Sequence, residues 1–190
     1  MIQAIVFDLY GVLALNGWQA FKAKHQALNP DMWEEFRRLG DSVDEGRASY
    51  DDLIAYTAKS TGETEATVRY QLEHTTSNTE LFHYIQNELK PRFRIGILSN
   101  ASTNKVFDEV FTPEQHALFD MITLSHHVGM RKPDYRMYEA IADRMGVPTT
   151  ACVFIDDQQR HIDGARAAGM RGVAYTGVPE LRRELGRILI

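Results

Sequence analysis

Residues 4–15 read AIVFDLYGVLAL: four apolar residues, an aspartate, then Leu-Tyr-Gly before the apolar character resumes. A short run rich in β-branched and aromatic residues, too brief for a helix and free of proline, predicts a strand over Ala4–Phe7. In open α/β sheets ligands gather at the carboxyl ends of the strands. Asp8, which closes this strand, is therefore a candidate catalytic carboxylate. Tyr10 stands two places later, where a proton-transferring acid would be useful.

Four further runs of the same kind follow, at Arg94–Leu98, Met121–Leu124, Cys152–Ile155 and Gly172–Tyr175. Between the later ones lie segments with helical spacing, Tyr135 to Met145 and Ile162 to Ala168, the second ending at Gly169 as a C′ glycine. Strand alternating with helix predicts an α/β fold, a parallel sheet with helices on both faces. The first two strands are separated by more chain than one crossover needs. Helical patterns fill that interval: Trp18 to Leu28, Pro30 to Leu39 with Asn29 as N-cap, Tyr50 to Ser60, and Glu63 to His74. Residues 16–78 thus read as a small inserted helical lobe with Met32, Trp33 and Phe36 in its core. Residues 1–15 and 79–190 form the main domain, and Thr79 to Lys90 is its first crossover helix.

The 190 residues are 44% apolar and 25% charged, ordinary for a globular protein. A net charge of -5 offers no general attraction to nucleic acid or to anionic lipid, so a phosphate-bearing ligand has to be held by local groups. No apolar run approaches the roughly 20 residues that span a bilayer. No basic segment followed by a cleavage site opens the sequence, so no secretory signal is expected. The single cysteine, Cys152, sits in ACVFI as a buried strand residue, and a reducing cytoplasm is the expected setting.

The remaining strand ends carry chemistry. The second is followed by Ser99-Asn100, the fourth by Asp156-Asp157, and Lys132 lies in GMRKPD after the third. Taken singly, such residues serve as turn and cap residues. Two adjacent carboxylates after CVFI are costly unless a cation neutralises them. As a set, these residues suit a reaction at an anionic centre with a divalent cation between carboxylates.

In that order the motifs resemble those of the haloacid dehalogenase-like (HAD) hydrolase superfamily, over essentially the whole chain. FDLYGVL resembles the first motif, with Asp8 as nucleophile, and ILSN the second, with Ser99 holding the anionic group of the substrate. GMRKPDYRMY resembles the third, whose Lys132 neutralises nucleophile and anion, and FIDDQQRHIDGARAAGM the acidic fourth. The resemblance implies a Rossmann-like core with a helical cap inserted after the first motif, and covalent catalysis through an aspartyl intermediate. It implies Mg²⁺ held by Asp8, the Tyr10 carbonyl, Asp156 and the substrate, with Asp157 ligating directly or through water. Backbone N–H groups around Gly11 and Asn100 would hold the remaining oxygens.

Two departures pull apart. Most phosphatases of the family carry aspartate at the position of Tyr10, and a phenol with an unperturbed pKa near 10 is a poor base at neutral pH. Haloacid dehalogenases read DxYGT there, and a halide needs no proton to leave. The acidic pair points back to metal-dependent chemistry. Tyr138 matches a dehalogenase tyrosine, although its spacing also suits packing; Arg37, Arg38 and Arg47 are the candidate halide-binding arginines. The segments LGDSVDEGRASYDDL, LSHHVGMRKPDYRMY and FIDDQQRHIDGA resemble a subgroup similar to the sugar-phosphate phosphatases and the N-terminal domain of epoxide hydrolases, several of which lack that aspartate. His161 stands where the subgroup usually has asparagine, and Val12 replaces a common threonine.

The expectation is a Mg²⁺-dependent phosphatase of a small phosphorylated metabolite. The alternatives are a metal-independent 2-haloacid dehalogenase and a catalytically weak ligand-binding protein of the same fold. His126 or His127 could stand in for the missing base or be solvated loop residues. Lys22, Lys24, His25, Arg47 and Tyr50 are candidate substrate contacts in the lobe.

Overall fold

The computed structural model describes residues 1–18, 21, 25, 26, 29–44, 48–101 and 105–189, without the side chains of Asp41, Val43, Asp44, Lys105, Val106 and His126. The strands are β1 (Ala4–Phe7), β2 (Ala14–Leu15), β3 (Thr76–Ser77), β4 (Arg94–Ser99), β5 (Met121–Leu124), β6 (Cys152–Asp156) and β7 (Arg171–Ala174). Helices α1 (Pro30–Asp44), α2 (Tyr50–Thr61) and α3 (Glu65–Glu73) lie between β2 and β3, and α4 (Thr79–Tyr84) follows β3. Then come α5 (Lys105–Val110), α6 (Pro113–His116), α7 (Ser125–Val128), α8 (Tyr135–Arg144), α9 (Gln159–Ala167) and α10 (Val178–Ile188). The expected helix from Trp18 to Leu28 falls largely outside the described residues.

Five strands form one sheet in the order β5-β4-β1-β6-β7, every pairing parallel, while β2 and β3 make a separate two-stranded ribbon. β1 occupies the centre. Phe7 pairs with Ile97 on one side and Ile155 on the other, and the Asp8 N–H continues the ladder to the Ile155 carbonyl at 2.8 Å. The period-two alternation sends successive side chains to opposite faces. Ile5 and Phe7 join a core with Leu81, Ile85, Ile97, Ile155, Leu181 and Leu185. Ala4 and Val6 join the other, with Leu98, Tyr138, Ile141, Phe154 and Ile162. Each fully buried side chain of this size contributes about 1.5–3 kcal/mol, which is why both sheet faces need a helical layer. Cys152 is wholly buried, and burial pushes its thiol up to about 11, the state of an inert core residue.

The chain divides into two compact units, Met1–Ala14 with Ser77–Ile190, and Leu15–Thr76. In the smaller one Phe21, Met32, Trp33, Phe36 and Leu53 form the core, with Trp18 stacked on Phe36 at 4.5 Å. Asn29 caps α1 as expected, its Oδ1 accepting the Met32 N–H at 3.1 Å. The helix then runs past Leu39 to Asp44. Gly40 fails to end it because it serves packing instead: a Cβ there would stand 3.0 Å from the Trp18 ring. α3 begins two residues later than the sequence pattern suggests, since the Thr64 hydroxyl accepts the Thr67 N–H and fixes the N-cap. In the larger unit the segment expected as one helix from Thr79 to Lys90 is α4 followed by a π-helical turn over Ile85–Leu89. No helix among the described residues is long and apolar enough to cross a membrane.

Candidate active site

The carboxyl ends of β1, β4 and β6 lie side by side in the sheet and deliver Asp8, Ser99 and Asp156 to one rim. Lys132 reaches the same place from the loop between α7 and α8. Its ammonium lies 2.8 Å from Asp8 Oδ1 and 2.6 Å from Asp156 Oδ2, and 5.0 Å from the centre of the Phe154 ring. Asp8, Lys132 and Asp156 are 4%, 2% and 0% exposed, so the charges meet in a medium where each must be answered. Two carboxylates face one ammonium. Burial is the largest influence on Asp8 and raises its pKa to about 7; Asp156 raises it too, while Lys132 and the Leu9 N–H, which donates to Oδ1 at 2.7 Å, pull the other way.

Asn100 fixes the lysine by its backbone. Its side-chain oxygen accepts the Lys132 N–H at 2.7 Å and its Nδ2 donates to the Lys132 carbonyl at 3.0 Å. The asparagine side chain is thus an anchor for the lysine loop. Gly11, with φ of 86°, makes the turn after β1 possible, but its N–H donates to the Ala14 carbonyl at 2.8 Å. That bond spends the amide the sequence reading assigned to a substrate oxygen. Leu13 and Ala14 both donate to the Leu9 carbonyl, so the turn's own bonds use the carbonyls of Leu9 and Ala14 and leave that of Tyr10 out of the set. The Tyr10 side chain is half-buried, and burial, then Asp8, raise its pKa further above the ordinary phenol value. Ser99 is buried at the end of β4.

A family model described as a haloacid dehalogenase-like hydrolase matches residues 2–169. The chain belongs to that family. It is 28% identical over 195 residues to the drimenol cyclase of Aspergillus calidoustus, spanning 99% of this chain and 37% of that protein. It is 28% identical over 210 residues to a phosphatase of Mycobacterium tuberculosis, spanning 99% and 97%. Among solved structures, a HAD family enzyme of Bacteroides thetaiotaomicron in complex with magnesium and inorganic phosphate is 17% identical, with a TM-score of 0.56 over 92% of this chain and 94% of that one. A 2-haloacid dehalogenase of Pseudomonas syringae is 19% identical, with a TM-score of 0.59 over 99% and 100%. At these identities the two structures share the fold with this chain.

The rest of this HAD hydrolase rim comes from β6 and α9. Asp156 Oδ1 accepts the Gln158 N–H at 2.8 Å, and His161 Nδ1 lies 3.1 and 3.0 Å from the two Asp156 oxygens. One donor atom each from Asp8, Asp156 and His161 lie within 4.8 Å of one another. Asp157, next in the chain, is exposed overall, while partial desolvation of its carboxyl, followed by the neighbouring Asp156 charge, raises its pKa. The donors fit a divalent cation: two oxygens and a nitrogen converge where one negative charge exceeds the positive charge of Lys132. His161 is the residue that sequence reasoning passed over. The signal was present in its departure from the subgroup's asparagine, read there only as a change of fine geometry.

Tyr138 is fully buried; its hydroxyl donates to the His161 carbonyl at 2.8 Å and its ring meets Phe154 edge-on at 5.3 Å. That is the packing alternative weighed in the sequence. Gly164 allows α9 to come this close, since a Cβ there would stand 2.8 Å from the Pro133 carbonyl oxygen. His127 is exposed on α7. Arg37 and Arg38 form exposed pairs with Glu34 and Glu35. Tyr50 lies under the Arg69 guanidinium at 5.5 Å, and the His25 ring packs on Phe21 at 4.2 Å. Lys22, Lys24 and Arg47, and the side chain of His126, lie outside what the structure describes.

Proposed function

We propose that this hydrolase is a Mg²⁺-dependent phosphatase of a small phosphorylated metabolite, acting through an aspartyl-phosphate on Asp8. The observation that carries the reading is the rim itself: a buried carboxylate at the end of the central strand, with Lys132 on it and Asp156 behind. Phosphatases among the relatives support it, including a glyceraldehyde 3-phosphate phosphatase of Methanothermobacter thermautotrophicus. So does the fold neighbour crystallised with magnesium and phosphate.

In this reading an ionised Asp8 oxygen attacks phosphorus, the bond from phosphorus to the ester oxygen breaks, and the alcohol leaves with a proton taken from water. Water then cleaves the acyl phosphate and returns Asp8. Lys132 offsets the charge of nucleophile and incoming anion. Ser99 and backbone donors after β4 hold phosphate oxygens, while Asn100 keeps the lysine loop in place. Asp8, the Tyr10 carbonyl and Asp156 would hold the cation, with Asp157 beside them. The cation, when bound, supplies the charge that lets a phosphate dianion approach a carboxylate. Leu15–Thr76 is proposed as the cap that selects the substrate.

One observation favours a second reading, a 2-haloacid dehalogenase. Lys132 contacts both buried carboxylates, and Tyr10 needs no proton to give when a halide leaves. A screen of phosphate esters and 2-haloacids, each with Mg²⁺ and with EDTA, separates the two. Phosphate release that requires Mg²⁺ is expected. Halide release in EDTA, with no phosphate released under any condition, would overturn the phosphatase.

A further inference from the structure

His161 is the member of the rim that the hydrolytic reading leaves without a task. Its ring is buried, Nδ1 faces both oxygens of Asp156, and Nε2 is buried without a hydrogen-bond partner among the described residues. A neutral imidazole has one donor nitrogen and one lone-pair nitrogen. Each tautomer leaves a need. A proton on Nδ1 satisfies Asp156 and leaves the buried lone pair on Nε2 unmet. A proton on Nε2 leaves a buried donor unsatisfied and sets the Nδ1 lone pair against a carboxylate, an arrangement that a shared cation would relieve. The ring is also held in register: Tyr138 fastens the His161 carbonyl and Gly164 seats α9 against Pro133.

We propose that Asp8, Asp156 and a His161 nitrogen form a two-carboxylate, one-imidazole site that takes a first-row transition-metal dication, Mn²⁺ or Co²⁺, in preference to Mg²⁺. The inference rests on the reading of the rim as a cation site. Mg²⁺ is a hard ion that keeps several waters and takes oxygen ligands. Imidazole favours the later metals, with affinity rising from Mn²⁺ to Co²⁺. Asparagine at position 161 would offer an amide oxygen and no such preference.

The test uses the metal-stripped full chain. Calorimetric titration should show Co²⁺ binding at least about tenfold more tightly than Mg²⁺. His161→Asn should weaken Co²⁺ by about tenfold or more while leaving Mg²⁺ within about twofold. Electron spin-echo modulation of the Mn²⁺-loaded wild type should show ¹⁴N coupling from a coordinated imidazole, lost in His161→Asn. The wild-type signal decides the matter even where the variant fails to fold. If ¹⁴N coupling is absent, or His161→Asn weakens Co²⁺ and Mg²⁺ alike, the nitrogen ligand is wrong while the cation-dependent phosphatase stands. If no divalent cation binds at millimolar concentration, the cation site fails and this inference with it.

Discussion

The rim around Asp8 and the unit Leu15–Thr76 treat charge in opposite ways. At the rim, two carboxylates and an ammonium are buried on strand ends and a loop drawn from distant parts of the chain. In the smaller unit the core is aromatic and the ions sit outside, in pairs one helical turn apart such as Arg37–Glu34 and Arg38–Glu35. An exposed pair gains little, because water solvates either partner when the other is removed. A buried one has no such substitute, so removing a partner strands a charge. The smaller unit is built to tolerate loss of charge, whereas at the rim, with two carboxylates on one ammonium, the outcome depends on which partner is lost.

The strongest attack on that contrast is Asp8→Asn, which should abolish turnover of any accepted substrate while circular dichroism shows an unchanged fold, since an amide cannot form the covalent ester. Turnover that survives in a clean, folded preparation removes Asp8 as nucleophile. Next in size, Tyr10→Asp should raise phosphate release by about 10²-fold or more, because a carboxylic acid can then serve the leaving oxygen. A fall in rate at unchanged stability would give the phenol a positive role.

Lys132→Met should cost about 3–5 kcal/mol in denaturant unfolding at neutral pH, because it leaves Asp8 facing Asp156 without a cation. The loss should shrink in acid as the carboxylates take up protons. A pH-independent loss would mean that packing against Phe154 is what the lysine contributes.

Asp8 also writes a pH signature into the metal-free protein. Its folded pKa, about 7, lies above the ordinary value of 3.8, so between these values the native state binds more protons than the unfolded chain. The contribution is present below about pH 4 and is lost as pH rises through about 7. In EDTA, Asp8→Asn should therefore melt higher than wild type at pH 8 and gain less at pH 4, each kcal/mol appearing as about 2–4 °C. Equal gains at both values would show that Asp8 titrates as an ordinary carboxyl. At the small end, Glu34→Gln should leave the melting midpoint unchanged within error, and a measurable drop would break the contrast.

Much of this was legible in the sequence because strands announce themselves by short apolar runs, and rim residues follow them directly. Asp8, Ser99 and Asp156 follow that rule, while Lys132, in the loop between α7 and α8, stood out only by its place in the set. What was hidden depends on contacts between distant segments. Nothing local says that the Gly11 amide turns back to Ala14, or that the Asn100 side chain closes on the backbone of Lys132. The helical pattern read to Leu39 gives no sign that α1 continues past Gly40, which lies against Trp18. His161 was visible as an oddity, but its partner is chosen by the first turn of α9 folding over the end of β6.

The strand order β5-β4-β1-β6-β7 also sets a timetable for the growing chain. Asp8 leaves the ribosome long before Lys132 and Asp156, and until Lys132 has followed, its carboxylate lacks that counterion and belongs in water. β6 closes the open edge of β1 and brings the second carboxylate to Lys132 in the same event. A nascent chain halted before residue 156 exposes an unpaired apolar edge beside a solvated acid, the kind of species that chaperones retain.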